Sequence, residues 1–150
     1  MLPISKIEFH TSKPIHKDYP SSLKTLADHI KAKRMDLQLS KIDLAKLLQV
    51  NSYTIATWEN SEKKPVPRMM KKIIEFLGYL PPLEVDSKTL GGQLYTYRCI
   101  FGFKQKDIAL QLKIDRSAVT KIENNNEVEI QYQRKIEALL NSQNSFVSKT

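Results

Sequence analysis

Apolar residues recur along this chain at helical spacing. Leu23, Leu26, Ala27, Ile30 and Arg34 fall on one face at three- and four-residue intervals and predict a first helix. Ser40 stands where a cap belongs, ahead of a second helix with Leu44, Ala45 and Leu48 turned inward. A three-residue turn, Gln49-Val50-Asn51, follows, with Val50 as its apolar plug. Asn51 or Ser52 then caps a third helix that carries Ile55 and Trp58 inward. Pro65 and Pro67 pre-set the start of a fourth helix, whose apolar face holds Met69, Ile73, Phe76 and Leu77. Gly78 ends it in the manner of a left-handed C-terminal residue. No alternating apolar run argues for a central sheet, and residues 4–9 are the one strand candidate.

The same pattern occurs twice. Shifted by 64 positions, residues 24–60 align with 88–124 without a gap, and nine of the 37 positions are identical. The identities include Arg34/Arg98, Asp43/Asp107, Ala45/Ala109, Leu48/Leu112 and Glu59/Glu123, and apolar positions elsewhere match in kind. Because the matches fall where periodicity places a core, two copies of one helical unit are expected; the period is too long for a solenoid. In the second copy Asp115 takes the cap position of the third helix, and Ile130, Ile136, Leu139 and Leu140 form the last apolar face. The fold expected is all-α, divided as an extended arm (1–21), a first domain (22–80), a linker (81–87), a second domain (88–141) and a polar, frayed tail (142–150). Pro81 and Pro82 stiffen the linker.

Charge adds a partner. The 150 residues carry 24 Lys and Arg against 16 Asp and Glu, a net charge of +8, which points first to nucleic acid and second to an anionic membrane surface. The surplus is uneven: residues 1–80 hold 14 basic and 8 acidic side chains, residues 81–150 hold 10 and 8. No apolar run approaches the roughly 20 residues of a membrane span, no signal peptide is evident, and the single cysteine, Cys99, excludes an internal disulfide framework. A cytoplasmic protein is expected. His10, His16 and His29 are dispersed, and Cys99 aligns with Met35 as an apolar filler with no histidine adjacent. Gly91-Gly92 follows no strand and is therefore no phosphate loop. No catalytic set, metal site or cofactor is implied.

Two helices joined by a three-residue turn, with an exposed face on the second, form a helix-turn-helix. The stretch from Leu39 through Ser40, Lys41, Asp43, Leu44, Ala45, Leu48, Val50, Ile55 and Trp58 to Glu59 and Asn60 resembles the Cro/C1-type, or Xre, repressor family. The stretch from Phe103 through Gln105, Asp107, Ile108, Ala109, Leu112, Ile114, Val119 and Ile122 to Glu123 and Asn124 resembles it equally. The resemblance implies two lambda-repressor-like helix-turn-helix domains in tandem. This chain departs from the family at the turn, where Gln49 and Lys113 replace a frequent glycine at a cost of roughly 1 kcal/mol. At the start of the second helix the family favours Gln; Gln105 keeps it and Lys41 does not.

The resemblance also assigns roles. Arg34 with Glu59, and Arg98 with Glu123, are implied structural ion pairs between the first and third helices. Ser52, Tyr53, Thr54 and Thr57 are implied at the major-groove edge, as are Arg116, Ser117, Thr120 and Lys121 in the second copy. Lys41, Lys63, Lys64 and Arg68, with Lys71 and Lys72 beyond, lie where family members grip phosphates. The second copy has Glu127 and Glu129 there, so it either reads DNA weakly or serves dimerisation. A bacterial or phage-type regulator binding double-stranded DNA is expected, most simply a repressor, with any second half-site about 34 Å away. An antitoxin that binds DNA and a toxin, a helix-turn-helix module that binds protein, and a homodimer stay open as alternatives.

Overall fold

The computed structural model describes residues 16–147, with side chains through residue 144. Among these residues eight helices follow one another: α1 (Leu26–Asp36), α2 (Lys41–Leu48), α3 (Ser52–Glu59), α4 (Pro67–Leu77), α5 (Leu90–Phe101), α6 (Gln105–Leu112), α7 (Arg116–Glu123) and α8 (Ile130–Val147). Among the described residues there is no strand. The strand candidate at 4–9 and most of the arm lie outside them.

Local chemistry explains the helix starts. Thr25 accepts the Asp28 N–H while the Asp28 carboxylate accepts the Thr25 N–H, a reciprocal box that opens α1. Ser40 and Asp43 repeat it at α2, and the Ser40 hydroxyl and N–H hold the Asp43 carboxyl below its ordinary range. Asn51 caps α3 through its side chain. Asp115 occupies the matching position before α7 but makes no side-chain cap bond. Both turns bend through a left-handed residue, Gln49 at φ 59° and Lys113 at φ 52°. Left-handed backbone recurs in register: Gln38, Gln49 and Ser61 have counterparts 64 residues on in Gly102, Lys113 and Asn125.

Packing follows that register. In the first half α3 packs on α1 and α2, and α4 on α1; in the second half α7 packs on α5 and α6, and α8 on α5. Ile30, Leu44, Ile55 and Ile73 are fully buried in one core, and Leu94, Ile108, Val119 and Ile136 in the other. Burial of each such side chain contributes about 1.5–3 kcal/mol. Two apolar positions expected inside lie outside: Leu23 precedes α1 and is 49% exposed, and Ile130, the first residue of α8, is 60% exposed. Neither has a preceding helical turn to lean on, since Leu23 lies ahead of α1 and Ile130 opens α8. The tail expected to fray at 142 continues as helix to Val147.

The two halves meet through α4 and α5, the most extensive helix pairing of all. Helix α5 gives Leu94 and Tyr97 to the second core but Cys99 to the first, with Tyr95 packed beside it. The linker adheres as well, with Pro81 buried and Leu83 against the first core. Burial pushes the Cys99 thiol up to about 11, so almost none of it is thiolate near neutrality. A maleimide at pH 7 is therefore expected to label Cys99 only after denaturation. Rapid labelling of the native protein would contradict the burial.

Candidate nucleic-acid interface

The first half presents its candidate reading edge at the start of α3. Asn51 Oδ1 accepts the Thr54 N–H at 2.8 Å and the Thr54 hydroxyl at 2.9 Å, which fixes the first turn. Ser52 and Tyr53 stand in the open, Tyr53 at 68% exposure, and Thr54 is half-buried beside them. Thr57 is a correction to the sequence expectation. It is only 3% exposed, and its hydroxyl donates to the Thr54 carbonyl at 2.8 Å. The loop after α3 folds back here, with the Glu62 and Lys63 N–H groups donating to the Thr57 carbonyl. Thr57 therefore supports the helix from the protein side and is withdrawn from the reading face.

An ion pair holds α3 at its other end. Arg34 Nε donates to Glu59 Oε1 at 2.5 Å, Nη2 to Oε2 at 3.0 Å, and Nη1 to the Leu39 carbonyl at 2.9 Å. One guanidinium thus ties α1, the approach to α2 and the end of α3 together, with the Glu59 side chain 1% exposed. Arg98 does the same in the second half: Nη1 reaches both Glu123 oxygens at 2.6 and 2.7 Å, and Nε donates to the Phe103 carbonyl. Gln105 extends this network. Its Nε2 donates to Glu123 Oε2 at 2.7 Å, and its Oε1 accepts the Thr120 hydroxyl at 2.9 Å. Gln105 and Thr120 are consequently engaged with each other, while Arg116, Ser117 and Lys121 project from α7 into solvent.

The cations differ in how free they are. Lys41 opens α2, Arg68 is the second residue of α4 and Lys63 lies on the loop between α3 and α4; all are exposed. Lys64 pairs with Glu84, but both side chains are largely exposed, and such a pair contributes little and exchanges readily for a phosphate. Lys72 departs from the sequence expectation. Its ammonium donates to the Leu48 carbonyl at 3.1 Å and to Gln49 Oε1 at 2.9 Å, satisfying the end of α2 in place of a phosphate. Lys135 on α8 serves the end of α6 in the same way through the Leu112 carbonyl. Two cations that the sequence did not single out, Lys104 and Lys106, stand at the start of α6 on a cleft shared with Arg68.

Residues 30–85 match the helix-turn-helix family model. The match runs from inside α1 past the end of α4 and so takes in the whole α2–turn–α3 unit. No curated protein and no solved structure matches the chain. No helix among the described residues is long and apolar enough to cross a membrane.

Proposed function

We propose that this protein is a sequence-specific regulator of transcription that binds double-stranded DNA, most simply a repressor that occludes a promoter, with two helix-turn-helix domains in tandem. The observation that carries the reading is the α2–turn–α3 unit within the matched residues. Its α3 opens with exposed Ser52 and Tyr53, and Lys41, Lys63 and Arg68 stand nearby without an ion-pair partner among the described residues. Hydroxyls of Ser52 and Thr54 can donate to or accept from base edges, and the Tyr53 ring can pack on a thymine methyl. The lysines and Arg68 set register on phosphates, a term that is independent of sequence.

A second domain is supported by the left-handed positions recurring 64 residues apart, by the same helix pairings and by the second Arg–Glu pair. In it Arg116 is the strongest base reader, since a bidentate guanidinium–guanine contact contributes about 1–3 kcal/mol of discrimination. Fluorescence anisotropy on a selected duplex and a scrambled one tests the assignment. Tyr53→Ala with Thr54→Ala is expected to narrow the gap between the two duplexes. Lys63→Ala is expected to weaken both alike and reduce the slope of log K against log salt by about 1. A Lys63→Ala protein that changes only its base preference would overturn these roles.

A further inference from the structure

We infer that the two halves grip one DNA phosphate backbone jointly, in the cleft between the start of α4 and the starts of α6 and α7. The inference rests on the DNA-binding reading and gives it a geometry. The cleft encloses about 540 Å³. Arg68 lines it from the first half, and Arg98, Lys104, Lys106 and Arg116 line it from the second, with no acidic residue among the lining side chains. Arg98 is already committed to Glu123 and the Phe103 carbonyl. Arg68, Lys104, Lys106 and Arg116 are exposed and belong to no ion pair among the described residues. Four uncompensated cations around one opening repel one another, and an anion laid between them relieves that repulsion.

A second, independent feature falls in the same place. Helices α1, α2, α3 and α5 are capped by the side chains of Thr25, Ser40, Asn51 and Thr89. Of the three helices that open on the cleft, α4 and α7 have no side-chain cap, and α6 has only the Asp107 carboxylate, which accepts the Lys104 N–H at 2.7 Å. Val66 and Lys104 carry no acceptor, and Asp115 does not turn its carboxylate to the task. The starts of α4 and α7 therefore turn their positive ends to the same opening as the cations, the arrangement that binds phosphate at helix starts. The packing of α4 on α5 fixes the two walls relative to each other, so the site is formed before DNA arrives.

The ligand that suits this cleft is a run of neighbouring phosphates. Each DNA strand presents a charge every ~3.4 Å of helix axis, so Arg68, Lys104 and Lys106 engage a short continuous stretch of one strand and leave Arg116 to the bases. Arg68 stands at the end of the first domain's phosphate clamp and Arg116 opens the second reading helix. Both domains then hold the same stretch of backbone, in place of two half-sites about 34 Å apart.

The experiment uses the full chain on a duplex recovered by selection. It combines phosphate-ethylation interference with salt titrations of the wild type, Arg68→Ala and Lys106→Ala, and melting curves in inorganic phosphate report whether a free anion is the true ligand. One uninterrupted run of interfering phosphates is expected. Each variant should bind specific and random duplex several-fold more weakly, with the salt slope reduced by about 1 and the melting temperature unchanged. Two interfering clusters separated by a helical turn would overturn the joint grip. So would unchanged slopes in both variants, including the case where the variants lose only stabilisation by inorganic phosphate. A wild type with no sequence preference would overturn the regulator reading and this proposal with it, whereas a sequence-specific wild type with unchanged variant slopes overturns the cleft alone.

Discussion

Glu59→Ala is expected to destabilise the fold by about 3–5 kcal/mol, the loss found when one partner of a buried ion pair is removed. The reason lies in what remains. Arg34 is 12% exposed at its side chain, and without Glu59 its guanidinium keeps only the Leu39 carbonyl. An unpaired charge left so little exposed has poor access to water. Urea unfolding followed through Trp58, the single and buried tryptophan, reads the loss directly. Replacing both partners by apolar residues, Arg34→Met with Glu59→Leu, is expected to recover most of it, because the intact pair offsets its own desolvation only narrowly. A loss below about 1 kcal/mol for Glu59→Ala, the range of exposed pairs, would show that the pair does not hold α3.

Gly92→Ala comes next, at about 3 kcal/mol, the upper part of the range for overpacking. A Cβ on Gly92 would stand 1.9 Å from the Asp86 carbonyl oxygen, and one on Gly91 would stand 2.3 Å from the Ile122 carbonyl oxygen. These neighbours are backbone and cannot swing aside. The two glycines thus let the start of α5 pass between the linker and the end of α7, which gives them a packing role. Gly78→Ala is the control: its left-handed φ of 84° costs about 1 kcal/mol, but no atom lies within 4 Å of the added methyl. Thermal midpoints should therefore fall further for Gly92→Ala than for Gly78→Ala. The reverse order would contradict the close approach.

What the sequence made legible was local. The Ser40 cap, the Leu44, Ala45 and Leu48 face and the left-handed Gln49 all depend on residues a few positions apart, and the helix boundaries follow from them. The face of Thr57 was misread because periodicity within α3 cannot register a loop that folds back from residues 62 and 63. Lys72 looked like a phosphate ligand because its true partner, the end of α2, lies 24 residues earlier. Cys99 crosses into the first core through the α4–α5 packing, a long-range contact that no spacing encodes. Lys104 and Lys106 escaped for a different reason: their counterparts 64 residues earlier, Ser40 and Ile42, are uncharged, so comparing the copies hid them.

The measurement that bears most directly on the whole account is selection of bound fragments from a random duplex pool by the full chain at about 150 mM salt, where screening suppresses loose surface binding. The account predicts enrichment of one short motif, with positions that lose their preference when Tyr53, Thr54 or Arg116 is replaced by alanine. Retention of DNA with no enriched motif would contradict it, leaving only the phosphate attraction of a basic protein.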